Sequence, residues 1–139
     1  MFRTCLLGLV GGVLLTSACR STSTAPAIEP ASTSEVWSNT LTVGASRFYS
    51  FNVPLSGNVS VRLTELKQGG VATDEQVTLG LGTPTATDCA LAGQFVAGAS
   101  ETAILTGPQP RGIYCIRIWD DSQLSTTTTF SVNITHPKQ

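Results

Sequence analysis

Hydrolysis by a catalytic triad needs a base, and this chain holds one histidine, His136. Such a base works only when a third group holds it within hydrogen-bond reach of a nucleophile. His136 stands three residues from the C-terminal end, just past the last candidate strand, and that position predicts a solvated tail residue. The other route to hydrolysis uses two carboxylates flanking a cleft. Asp120 and Asp121 are adjacent acids at a candidate strand end. Successive strand residues point to opposite faces, so these two do not converge. They read as the opening of a turn through Ser122. With Asp74 or Glu75 they are weak candidates for Ca2+, which takes about six to eight oxygen ligands; a solvated acidic turn is the simpler reading. No glycine-rich phosphate loop precedes a helix. The expectation is a protein that is not an enzyme and has no cofactor or metal site.

Aromatic side chains offer a different chemistry. Trp37, Tyr49 and Trp119 could form a flat platform for sugar rings, with core or sheet-face packing as the competing reading for each. Trp119 is the most informative of the three. Residues 112–120 alternate Tyr114, Ile116 and Ile118 against Cys115, Arg117 and Trp119. If the first set faces a core, Trp119 faces solvent or a disulfide at Cys115. Trp119 and Arg117 are therefore the candidate ligand-contacting residues.

The elements that would position these residues are short strands between turn signals. Candidate strands cover residues 36–43, 47–53, 58–66, 76–81, 101–105, 112–120 and 127–135. The cleanest alternation sets Val59, Val61 and Leu63 against Ser60, Arg62 and Thr64. Residues 80–93 read as a loop. No segment makes a convincing amphipathic helix, and without crossover helices the strands must pair antiparallel. The pattern predicts an all-β fold: one antiparallel β-sandwich domain of the jelly-roll-like kind.

Of the 139 residues, 41% are hydrophobic and only 12% are charged, with a formal net charge of −1. Ser and Thr supply the missing polarity, which suits half-exposed strands. With no basic stripe, nucleic acid is not an expected partner. At the start, Met1, Phe2, Arg3 and Thr4 form a short positive segment, followed by 11 apolar or glycine residues, 5–15. That length fits the hydrophobic part of an export signal and falls short of the roughly 20 residues that span a bilayer. Leu15, Thr16, Ser17, Ala18 and Cys19 then resemble a lipobox, the cleavage site of bacterial lipoproteins, with Thr16 where Leu is commonest. The resemblance implies a signal peptide at 1–18 and lipidation of Cys19; the alternative is an ordinary cut, after Ala18, which would leave Cys19 a plain thiol, or near Ala25, which would remove it. Arg20 after the cysteine implies, by the same resemblance, sorting to the outer membrane. Residues 19–34 are rich in Ser, Thr and Pro and read as a lipid-anchored flexible linker, because they cannot bury enough apolar surface to offset their ordering entropy.

Cys5 belongs to the signal segment and Cys19 to the anchor, which leaves Cys89 and Cys115 as an even pair in an exported domain. They predict a disulfide. The alternative, a metal or reactive-thiol role, lacks a neighbouring histidine.

Several segments now read together: Trp37 to Leu41, then Phe48, Phe51 and Val53, then Gly57, Val59 and Val61, then Leu79 to Gly82, then Gly112, Tyr114, Trp119 and Asp120. In that order they resemble the bacterial pre-peptidase C-terminal (PPC) type of β-sandwich, over residues 35–136, with 137–139 as a tail. An acidic D-x-D-L segment common in that family is missing between 65 and 82, where only Asp74 and Glu75 stand. The resemblance implies a non-catalytic module that binds surface polysaccharide or protein from a membrane anchor. The alternative is an accessory or structural subunit of an envelope assembly.

Overall fold

The computed structural model describes residues 30–100, 102 and 105–139. The signal segment, Cys19 and most of the linker lie outside the described residues. Nine strands are formed among the described residues: β1 Ser32–Leu41, β2 Ser46–Val53, β3 Gly57–Gln68, β4 Val71–Ala72, β5 Val77–Pro84, β6 Cys89–Ala97, β7 Leu105–Gln109, β8 Gly112–Trp119 and β9 Thr128–Pro137. They make two antiparallel sheets. One runs β1-β9-β3, with β4 and β7 both on the far side of β3; the other runs β2-β8-β5-β6.

Alternation decides which side chains meet between the sheets. Phe130, Val132 and Ile134 of β9 are buried, as are Val59, Val61 and Leu63 of β3. The β3 pattern then changes parity: Thr64 is skipped in the pairing with β9, and Leu66 becomes the next buried residue. A bulge of this kind inserts one unpaired residue and re-aims everything after it. From the facing sheet come Phe51 and Val53 of β2, Val77 and Leu79 of β5, and Ile116 and Ile118 of β8. Each fully buried side chain of this size stabilises by roughly 1.5–3 kcal/mol. Trp37 of β1 stacks on Tyr49 of β2 at 5.6 Å and meets Phe130 of β9 edge-on at 4.9 Å, so it joins the two sheets along one border. Trp37 and Tyr49 are therefore packing residues and not a sugar platform.

Four expectations need correction. Residues 80–93 are not a loop: β5 continues to Pro84, turns through 85–88, and returns as β6. The glycines that suggested a loop allow close packing instead. A Cβ at Gly82 would lie 1.9 Å from the Ala90 carbonyl oxygen, and one at Gly80 would lie 2.7 Å from the Leu91 side chain. The run expected at 101–105 is displaced: the strand is β7, starting at Leu105, and Glu101, Ala103 and Ile104 are outside the described residues. The first strand begins at Ser32, within the segment read as linker, because Ser32 pairs with Pro137. Finally, His136 is not a solvated tail residue, since β9 runs on to Pro137 and carries His136 inward at 4% exposure.

Candidate functional site

The outer face of the β2-β8-β5-β6 sheet collects the residues singled out for binding. With Ile116 and Ile118 turned to the core, β8 presents Ile113, Cys115, Arg117 and Trp119 outward. Cys115 is nonetheless fully buried, because Cys89 covers it through a disulfide with Cα atoms 5.8 Å apart. Cys89 starts β6, and β5 lies between β6 and β8. The bridge thus spans β5 near Gly82, the cross-strand partner of Cys115, where β6 approaches too closely for any side chain.

The same crossover places Asp88. Its Oδ1 accepts the Cys89 N–H at 2.8 Å, and its Oδ2 accepts from Arg117 Nη1 at 3.2 Å. The turn behind it is closed by Thr85, whose N–H and hydroxyl both donate to the Asp88 carbonyl. Arg117 is fixed from the opposite side by Ser46, whose Oγ accepts from Nε at 2.8 Å. Its guanidinium carbon sits 5.3 Å from the Trp119 ring centroid, a cation–π arrangement. A guanidinium has five N–H donors. Two are taken here, so the other hydrogens point to solvent or to a ligand. Phe48, the cross-strand neighbour of Arg117 on β2, is 45% exposed beside them. Sequence reading missed Phe48 as a surface residue; the signal was available, since it alternates with the buried Phe51 and Val53 parity.

Thr78 lies across from Trp119 on β5, buried at 3%, with a hydroxyl that has no hydrogen-bond partner among the described residues. Thr78 is thus covered, although it is on the outer face. Arg117 and Trp119 are brought together as the alternation implied.

Asp120 and Asp121 are separated in role. Asp120 is buried and ties two turns together. Its Oδ2 accepts from the Gly44 N–H at 2.7 Å, and its Oδ1 accepts from Gln123 N–H at 2.7 Å and Leu124 N–H at 3.0 Å. Burial pushes its pKa up, but the backbone donors at Gly44, Leu124, Gln123 and Ser122 together outweigh burial and hold it below the ordinary carboxylate value. Ser122 takes a left-handed φ of 63°, which the closed turn imposes. With both Asp120 oxygens turned to N–H donors, the carboxylate is committed to the backbone, while Asp121 stays exposed beside it. No group of three or more His, Cys, Asp or Glu residues with metal-holding geometry occurs among the described residues. Glu75, likewise, accepts from Gln68 and from the Ser125 hydroxyl and N–H, so it fastens the 125 turn to β3.

His136 is engaged on both ring nitrogens. Nε2 is 2.8 Å from Glu35 Oε1, and Nδ1 is 2.9 Å from the Pro137 carbonyl oxygen. Glu35 Oε2 accepts the Tyr49 hydroxyl at 2.8 Å. That hydrogen bond, then burial, then the Glu35 charge raise the Tyr49 pKa. The cluster joins β1, β9 and β2 beside the Trp37 stack. Its imidazole packs 5.7 Å from Phe51. It is a structural fastening between sheets.

No family model matches the chain, and no curated protein matches it. Among solved structures, one similar chain comes from a structure titled "Bacillus endospore appendages form a novel family of disulfide-linked pili". It is 12% identical, with 80% of this chain and 92% of that chain covered, at a TM-score of 0.43. A likeness at that level carries no functional weight for this chain.

Proposed function

We propose that this chain is an exported, lipid-anchored and non-catalytic binding module, with a PPC-like sandwich that takes up envelope polysaccharide on the outer face of its β2-β8-β5-β6 sheet. The observation that carries the reading is the Arg117–Trp119 pair, fixed by Asp88 and Ser46 with guanidinium hydrogens left over. Sugars present ring faces and many acceptor oxygens. An aromatic beside a preorganised guanidinium meets both needs, and its ordering cost is already met in the free protein. Export is supported by the Cys89–Cys115 disulfide, since such bonds persist in oxidising compartments. The anchor at Cys19 and delivery to the outer membrane rest on the lipobox-like residues.

Two measurements test this. Intact-mass analysis of the protein extracted from membranes reads lipidation directly: a mature N-terminus at Cys19 carrying acyl chains is expected, and an unmodified terminus near Ala25 overturns the anchor. For the ligand, the full chain is titrated with envelope polysaccharide from its host by calorimetry. Trp119→Ala and Arg117→Ala should each weaken binding about tenfold or more. Wild-type affinity in both folded variants would remove this face from consideration. A host protein that binds in place of glycan would move the reading to an accessory subunit.

A further inference from the structure

Edge strands invite pairing, and proteins guard them with charge, proline or brevity. Among the described edges, β2 carries Arg47, β1 carries Glu35, β7 carries Pro108, and β4 has two residues. The β6 edge is different. Cys89–Ala97 has neither a charge nor a proline, and it leaves Phe95 52% and Val96 57% exposed. Past its bulge near Ala92, β6 pairs regularly with β5: Gly93 with Leu81, Gln94 with Gly80, Phe95 with Leu79. Phe95 and Gly93 thus share the inward face, two residues apart.

Among the described residues, the border of the sandwich next to Gly93 is open. A cleft of about 190 Å³ lies between β6 and β7, lined by Leu81, Ala92, Gly93, Leu105 and Gly107 among others. A Cβ placed on Gly93 would touch nothing within 4 Å. One apolar strand therefore carries a half-exposed ring and, two residues before it, an open cleft whose lining is mostly apolar, with Thr106 and Gln109 also on it.

We infer that β6 pairs antiparallel with β6 of a second copy about a two-fold axis at Gln94, so that Phe95 of each copy fills the cleft beside Gly93 of the other. Antiparallel self-pairing centred on residue 94 sets Phe95 opposite Gly93, and directly opposed residues lie on the same face about 5 Å apart. A two-fold contact is isologous, so each knob meets its own hole. Only Gln94, on the axis, faces its own copy, and because β6 carries no charge, no like-charge pair arises along the contact. Of the described uncharged edges, β7 is interrupted by Pro108 and β4 is two residues long, which leaves β6 as the long one without a guard. The product is a continuous eight-stranded sheet with both Trp119 faces on one side. This inference is independent of the glycan reading, although two sites on one sheet would give avidity to a repeating polymer.

Sedimentation equilibrium of the full chain, in density-matched detergent if it is lipidated, reads the outcome. A concentration-dependent dimer is expected for the wild type. Phe95→Ala and Gly93→Val should each raise its dissociation constant about 30-fold or more, because one removes the knob and the other fills the hole. Gln94→Cys should form an intermolecular disulfide at the axis, and Val96→Cys should not. A wild type that stays monomeric at about 100 µM while Gln94→Cys fails to cross-link would overturn the proposal. So would a dimer that survives both Phe95→Ala and Gly93→Val. Either result leaves the glycan titration of Trp119 standing or falling on its own.

Discussion

Replacing Asp120 tests how the end of β8, and with it Trp119, is held. Three backbone N–H groups, from Gly44, Gln123 and Leu124, point at its two oxygens at 2.7–3.0 Å. Hydrogen bonds to a charged acceptor contribute about 1.5–3 kcal/mol each, and the groups lie in surface turns where water can take back part of the loss. Asp120→Ala should therefore cost about 3 kcal/mol, which lowers Tm by roughly 12 °C at about 4 °C per kcal/mol for a domain of this size. Asp120→Asn keeps the shape but must turn its NH2 either toward Gly44 or toward Gln123 and Leu124, so one donor faces another. It should fall between the wild type and the alanine variant.

The pH dependence gives a second, sharper reading. The folded carboxyl is held below its ordinary value of 3.8, so folding favours the ionised form. Its contribution is full above that ordinary value and is lost as pH falls through the lower folded one. The stability gap between wild type and Asp120→Asn, measured by urea titration, should be constant from about pH 7 to pH 5 and shrink toward about pH 2. A gap that is flat over the whole range, or an alanine variant that loses less than about 4 °C, would refute the view that this carboxylate fastens the two turns.

Three further outcomes follow from single features. Removing the disulfide as Cys89→Ser with Cys115→Ser frees a loop closed across 26 residues and should cost about 3–4 kcal/mol by the chain-entropy account, read as a Tm fall of roughly 14 °C; it should also loosen Asp88 from Arg117 and weaken glycan binding. Thr78→Val removes a buried hydroxyl that has no partner among the described residues and keeps the shape, so chemical denaturation should show a gain of about 1 kcal/mol; a loss would mean the hydroxyl has a partner in solution. Tyr49 should titrate above the ordinary tyrosine value in ultraviolet absorbance, and Glu35→Gln should bring it down. Because its folded pKa is raised, the stability it contributes is complete below the unfolded value near 10 and is lost as pH rises through the folded one.

Much of this fold is legible in alternation. Where one face is buried without interruption, as in Phe130, Val132 and Ile134 or in Ile116 and Ile118, period two names the core and, by difference, places Arg117 and Trp119 outside. The pairing of Cys89 with Cys115 follows from counting. What is not legible is what depends on a neighbour. The β6 strand escaped notice because its bulge breaks the alternation and the glycines of β5 look like punctuation, when they are the sites that let Leu91 and Ala90 lie close. His136 looks terminal because its partner, Glu35, is 101 residues away. Asp120 looks like half of an acidic pair because nothing in the sequence says that Gly44 will present its N–H to it.

The two outer faces of the sandwich explain why one of them is the candidate site. On the β1-β9-β3 face, the polar side chains answer one another: Ser34 bonds Thr135 at 2.8 Å, Ser38 bonds Ser131 at 2.7 Å, and Thr135 bonds Asn133 at 3.2 Å. The first two are cross-strand hydroxyl pairs, which stabilise the sheet by a few tenths to about 1 kcal/mol each, and the third runs along β9; together they leave little that a ligand would improve. On the β2-β8-β5-β6 face the arrangement is the reverse. Phe48 and Ile113 are exposed apolar surface, and the Arg117 guanidinium has hydrogens beyond those used by Ser46 and Asp88. A ligand that covers the first and accepts from the second gains on both counts, because the apolar area leaves water and no buried donor is stranded. The hydroxyl-rich face has the same strand geometry without that gain. Substitutions there, such as Val36→Ser on the 68%-exposed Val36, should leave binding unchanged, whereas Phe48→Ser should weaken it with Trp119→Ala. A loss of binding from Val36→Ser alone would place the ligand on the wrong sheet for everything argued about Arg117.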